Sequence, residues 1–288
     1  MVAGPDSRFE TGLERDRADP RSTAELIEAA LDSLRHELAD SLENDNDGRH
    51  GAALSVLHAR GTHEVLVAAL GLCDAKNSAE RQLGASILGE LGQPDRRFPE
   101  ECCERLLQFL RQEQHPDVFR AAIFALGHLG NRRADPDLAR LKDHPDDVVR
   151  HCVAFALAGT THPEGVEALL CLMNDPNEYA RDWATTGIGQ TLELDNAEIR
   201  SALLLRLGDK DSSTRAEAHL GLARRRDARQ LPYLIGELQL QSNPPSTGID
   251  IQYDCYFRDA AKIWLGLAND DEFDALHLVA CLRQMMSG

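Results

Sequence analysis

Ala180-Arg181-Asp182-Trp183-Ala184-Thr185-Thr186-Gly187-Ile188 is the stretch whose reading decides the fold. It follows an acidic turn, Asp175-Pro176-Asn177-Glu178, opens on an arginine, and then sets small and apolar residues at helical spacing. The same arrangement recurs at residues 50–57, 81–89, 119–127, 150–158, 181–189, 215–222 and 258–266. With the first residue of each copy as register, the steps are 31, 38, 31, 31, 34 and 43 residues. A near-constant step marks stacked helical units, none of which buries its apolar face alone.

Leucine-rich segments lie between the copies at 65–70, 104–110, 165–170, 199–207 and 231–240 and are predicted to be second helices. Gly92-Gln93-Pro94, Gly130, Asp135-Pro136, His162-Pro163 and Asp175-Pro176 punctuate the turns. Upstream, residues 1–21 are polar, broken by Gly4-Pro5 and Asp19-Pro20, and are expected to form a disordered arm. Ser22 and Glu25 have the spacing of a capping box, so a helix starts there, and residues 22–288 are read as the repeat domain. Residues 241–252, with Asn243-Pro244-Pro245, account for the 43-residue step and are expected to be an inserted loop.

Composition agrees with an all-α class. Apolar residues make up 42% and are mostly Ala and Leu, whereas aromatics make up only 5%. The formal net charge of -17 opposes a role on nucleic acid, which calls for a basic stripe, and favours a protein partner with a basic surface. The seven cysteines are odd in number and show no CxxC pair, and most lie in apolar helical runs, so they read mainly as small buried hydrophobes in a reducing compartment. The N-terminus lacks an apolar signal core and no run approaches the ~20 apolar residues of a membrane span. A cytoplasmic protein without a membrane role is expected.

The wording of Arg181-Asp182-Trp183-Ala184-Thr185-Thr186-Gly187, and of Thr214-Arg215-Ala216-Glu217-Ala218-His219-Leu220-Gly221-Leu222, resembles the bacterial HEAT-like repeat of phycobilisome lyases. The resemblance extends over roughly residues 50 to 285. It implies a right-handed α-solenoid of about seven repeats, with the arginine-led helices lining the concave face. It also implies a structural ladder of Arg81, Arg150, Arg181, Arg215 and Arg258 linking successive repeats. Acids in the preceding turns stand near these arginines: Asp146 and Asp147, then Asp175 and Glu178, then Asp211. Phe119 takes the arginine position in the third copy, where the ladder is expected to break.

Counted from each anchor, positions +3, +4, +6 and +7 are small or aliphatic and belong to the core, whereas +1, +2, +5 and +9 vary. The variable columns bring out Phe124, Phe155 and Trp183, with His128, His151, Asp182, Thr186 and Gln190 near them. Aromatics with a polar fringe read as a partner-binding hot spot. A phase error of one residue would instead turn the aromatics into core.

Catalytic chemistries find little to stand on. A HEAT-repeat di-iron hydroxylase needs His-Glu directly after the repeated arginine, and here Arg150-His151 is followed by Cys152. A HEAT-like alkylpurine DNA glycosylase is echoed by Trp183 and Asp182, but the charge opposes DNA. No phosphate-binding loop, nucleophile elbow or zinc spacing occurs, so no catalytic residue, metal or cofactor is expected. The resulting expectation is a non-enzymatic scaffold that binds a protein in its concave groove, one form of which is an inhibitor or immunity-type protein. A phycobilin-lyase-like chromophore-attachment subunit is the alternative.

Overall fold

Short polar side chains start the helices. Asn77, Asp146, Asn177 and Asp211 each accept a backbone N–H of the first turn, at 2.8, 2.9, 3.0 and 2.6 Å to Ala79, Val148, Ala180 and Thr214. The predicted capping box is present as well: Ser22 N donates to Glu25 at 2.7 Å and Glu25 N to Ser22 Oγ at 3.3 Å. The computed structural model describes residues 7–40, 51–242, 254–268 and 274–287. Those residues contain helices and turns, and no strand. The chain divides into two units, 1–137 and 138–288.

The first unit contains α1 (Ser7–Arg17), α2 (Thr23–Asp40), α3 (Ala52–Arg60), α4 (His63–Cys73), α5 (Ser78–Glu90), α6 (Pro99–Gln112) and α7 (Pro116–Leu129). Here α5 packs on α4 and α7, and α6 on α7, so each arginine-register helix lies against its own partner and its successor. Leu57, Ile87, Leu88, Leu106, Ile123 and Leu126 fill the interior. Gly89 permits the α5–α7 approach, since a Cβ there would stand 2.7 Å from the Ala125 Cα. The arm expected to lack structure over 1–21 includes α1. Arg17 ties it to the carbonyls of Ala59 and Gln93 at 3.2 and 3.3 Å, and Arg60 reaches back to those of Asp19 and Arg21. Those long-range hydrogen bonds are what the local composition did not reveal.

A short α8 (Asp135–Ala139) falls at the division. The second unit contains α9 (Asp147–Leu157), α10 (Pro163–Leu172), α11 (Glu178–Thr186), α12 (Ala197–Arg206), α13 (Ser212–Arg224), α14 (Leu231–Ser242), α15 (Asp254–Leu265) and α16 (Ala275–Ser287). Here α9, α11, α13 and α15 pack in succession, with α10, α12, α14 and α16 as their partners. The loop expected at 241–252 lies outside the described residues save for the end of α14.

The repeated arginines form a regular set of bridges, with one difference from expectation. Arg150 forks onto Asp175 at 2.6 and 3.0 Å, and Arg181 onto Asp209 at 3.0 and 2.9 Å. Arg81 forks onto Glu113 at 2.7 and 3.1 Å, and Arg215 reaches Glu237 at 2.7 Å. Each carboxylate therefore comes from farther along the chain, not from the turn before its arginine. The preceding turn supplies carbonyls instead: Arg181 Nη1 donates to Asp175 and Pro176, and Arg150 Nη1 to His144 and Pro145. Asp146 and Asp211 are taken up as helix caps, which is why they do not serve the arginines. Phe119 offers no donor, and Arg120 beside it turns to Asp117 at 3.3 Å. Arg258 lies half-buried on α15.

Candidate functional sites on the anchored helices

The register places one stripe of each anchored helix toward solvent. Ala122, Ile123, Ala125 and Leu126 on α7 are buried, as are Val153, Ala154, Ala156 and Leu157 on α9. Phe124, Phe155, Asp182, Trp183, Thr186 and Gln190 are half-buried, and His128 is exposed. The +2 column departs from the expected pattern. Leu83, Cys152, Glu217 and Ala260 are buried in the seams between helices, so Ala52, Ala121 and Trp183 are the members of that column that reach the surface.

The eight candidate residues divide between the units. Phe124 and His128 stand on α7, and the other six on α9, α11 and the turn that follows it. In the second unit the ring of Phe155 meets Trp183 edge to face, with centroids 4.8 Å apart at 86°. His151 lies 5.6 Å from Tyr179, whose side is 61% exposed. Burial pushes the His151 imidazole below its ordinary pKa, against the opposing charge of Asp147.

Two carboxyl groups flank this aromatic set. Asp182 accepts from Ser213 Oγ at 2.7 Å, and Glu217 accepts from the Gln190 amide. Burial pushes Asp182 up to about 6 despite the Ser213 bond, with the charges of Asp211 and Asp209 adding to it. Burial also pushes Glu217 up to about 7, opposed by the Gln190 bond and reinforced by the Asp182 charge. Thr186 joins the same network, giving its proton to the Asp182 carbonyl at 3.0 Å. Sequence reasoning missed Glu217 and Ser213 as site residues. The available signal was a carboxylate in a column otherwise filled by Ala, Leu, Cys and Trp.

Gln190 sits in a π-helical turn, Gly187–Thr191, that closes α11. The wide turn is stabilised from beneath by Arg225, whose guanidinium donates to the carbonyls of Ile188, Gly189, Leu192, Leu194 and Gly221 at 2.7 to 3.1 Å. Gly189 and Gly221 let the turn approach α13, since a Cβ on Gly221 would lie 2.6 Å from the Gly189 Cα.

In the first unit a cavity of about 410 Å³ opens over α3, α5 and α7. Phe124 and His128 line it together with Gln82, Ser86, Glu90 and Asp117. Sequence reasoning singled out only the first two. Cys73, Cys102 and Cys103 are buried, and burial lifts their thiols to about 11, 12 and 11, so they remain protonated. Cys152 is buried as well, whereas Cys171 and Cys255 are exposed, because both stand on helix faces turned away from the core.

Comparison with known proteins agrees with this architecture. The family model described as HEAT repeats matches residues 103–189 and 166–245. Protein YibA of Escherichia coli strain K12 is 27% identical over 213 residues, covering 70% of this chain and 74% of YibA. The crystal structure of Escherichia coli YibA aligns over 100% of both chains, with a TM-score of 0.62 at 21% identity, which speaks for the fold alone. The CpcE–CpcF complex of phycocyanin lyase from Nostoc sp. PCC7120 aligns over 93% of this chain and 96% of that chain, with a TM-score of 0.46 at 15% identity. That second likeness falls below the level at which a fold can be argued. The matched repeats and the stacked helical pairs make this chain a HEAT-repeat protein, an all-α solenoid.

Proposed function

We propose that the chain is a non-enzymatic interaction scaffold that seats a protein partner on the second unit, over Phe155, Trp183 and Tyr179. The observation that carries this reading is the edge-to-face Phe155–Trp183 pair, half-buried beside an exposed tyrosine and flanked by Asp182 and Glu217. Trp and Tyr in such settings supply large contact area at low entropic cost and dominate binding energies. His151, Thr186 and Gln190 form the polar fringe. A net charge of -17 adds long-range attraction for a basic partner surface. The narrower form of this reading is an inhibitor or immunity-type protein that neutralises a basic toxin.

Affinity capture with the full chain, followed by calorimetry on the purified partner, tests the assignment. The double variant Tyr179→Ala/Trp183→Ala is expected to weaken binding by at least about 100-fold, as loss of two hot-spot residues does. Raising the salt from low to physiological is expected to slow association without changing which residues matter. A folded double variant that keeps every partner at unchanged affinity would sink the proposal.

A further inference from the structure

The cavity of the first unit carries chemistry that partner docking on the second unit leaves unused. Its volume of about 410 Å³ lies within the roughly 300–1,000 Å³ range of small-ligand sites. Ser86 gives its one hydroxyl proton to the Gln82 carbonyl at 3.1 Å, so what it can offer a ligand is a lone pair. Glu90, when ionised, is an acceptor only. The nearest bases stop short of hydrogen-bond length: Arg96 Nη1 is 3.9 Å and His128 Nδ1 3.8 Å from its carboxyl oxygens. Arg96 is held elsewhere, donating Nη2 to the His128 carbonyl at 3.0 Å. Asp117, the second carboxylate lining the cavity, already receives Arg120 at 3.3 Å.

These groups select against several classes of ligand. An anion would meet Glu90 and the Ser86 lone pair, while Arg120 and His58, which also line the cavity, are engaged by Asp117 at 3.3 Å and the Ser86 carbonyl at 3.0 Å. A purely apolar ligand would take water from the Glu90 carboxylate and return nothing. A ligand rich in donors and positively charged satisfies both acceptors, and the Phe124 ring offers a wall for an alkyl stem or a cation. We infer that this cavity binds a guanidinium or primary ammonium group on a short apolar stem, the cation seated on Glu90 and Ser86 and the stem against Phe124. A free alkylamine and an arginine or lysine side chain of a protein share this chemistry.

The test is titration of the full chain, by calorimetry and amide shift mapping, with three probes. Agmatine carries a guanidinium and an ammonium on a butyl stem; butane-1,4-diol is its uncharged counterpart; N-acetyl-Gly-Arg-Gly-amide presents the same head on a peptide. Saturable binding of agmatine or the peptide, with shifts at Ser86 and Phe124 and none from the diol, is the expected result. A tighter peptide assigns the head group to a protein partner, and tighter agmatine to a free amine. Glu90→Gln is expected to weaken binding at least tenfold and Phe124→Leu severalfold, each melting close to the parent. Glu90→Asp, which keeps the charge but withdraws it by one carbon, gives an intermediate loss and keeps the test open if the glutamine variant fails to fold. Equal binding by the diol, unchanged binding in the Glu90 variants, or no saturation by either cation overturns the inference.

Discussion

Glu217 is 7% exposed and its carboxyl ionises at about 7, so near neutral pH it is poised between two states. The Gln190 amide and the Thr186 hydroxyl both favour the ionised form, and burial outweighs them. Asp182, ionising at about 6, sits in the same seam. Both carboxyls ionise near 4 in an unfolded chain, so as pH rises the unfolded state gives up these protons first. Their contribution to stability is complete below about pH 4 and is lost as pH climbs through 6 to 7. Glu217→Gln mimics the protonated acid and keeps the Gln190 contact. Its expected effect is a stability gain of up to about 3 kcal/mol at about pH 8, shrinking to nothing below about pH 4. Urea denaturation at the two pH values measures this directly, and parallel wild-type and variant profiles would show that the buried acid is not the source. His219, fully buried two residues farther along α13, titrates the other way. Burial lowers it to about 4, and the Gln230 carboxamide bridges the His219 carbonyl and the Ala223 N–H at 3.0 and 2.8 Å. With the amide nitrogen on Nδ1, the ring proton belongs on Nε2, against the Phe257 ring 5.6 Å away. Nitrogen shifts of a neutral Nε2–H imidazole, unchanged down to about pH 5, are the expected NMR signature; an Nδ1–H pattern would contradict it.

Elements are held in register by forks of hydrogen bonds, and the Arg181 fork is the best defined. Its side chain is 13% exposed and that of Asp209 5%, and together they join the start of α11 to the turn before α13. Burial works against ionisation of Asp209, but the Arg181 fork and the Asp211 N–H outweigh it and hold the carboxyl below its usual range. Arg181→Ala removes the fork and leaves that buried carboxylate with Arg206 at 3.2 Å and the Asp211 N–H, and is expected to cost about 2 kcal/mol in chemical denaturation. Arg181→Lys keeps a charge but not the planar fork, so a smaller loss is expected; a lysine variant as unstable as the alanine would show that charge contributes nothing. The arginines were legible in the sequence because they recur at a near-constant step. Their partners were not, because an acid in the preceding turn and one 22 to 32 residues onward look alike until the chain is folded. Burial columns were legible for the same reason of period: Val153, Ala154, Ala156 and Leu157 fell where counting put them. The π turn after α11 was not, since Arg225, which satisfies its carbonyls, lies more than 30 residues away. The first-unit cavity escaped notice because Gln82, Ser86 and Glu90 are ordinary helix-surface residues whose meaning comes only from α7 beside them.

At the scale of the whole molecule, stacked repeats confine each interaction to near neighbours, so stability is a local property summed along the chain. The described packing follows that rule: α11 meets α9, α10 and α13, and α13 meets α11, α12 and α15. A compact core would spread the loss of one rung through every helix, because all would share the same interior. Here the Arg181 rung touches only the turn before α11, at Asp175 and Pro176, and the turn before α13, at Asp209. Its removal is therefore expected to raise opening rates unevenly. Native-state hydrogen exchange on Arg181→Ala should show lost protection in α11, α12 and α13, a smaller loss in α9 and α15, and unchanged exchange in α4 to α6 of the first unit. The same measurement on Arg81→Ala, which breaks the fork to Glu113, should reverse the pattern, loosening α5 and α7 and sparing α12 and α13. Loss of protection spread evenly over all described helices in either variant would mean that the chain unfolds as one cooperative body, and that the rungs act through global stability.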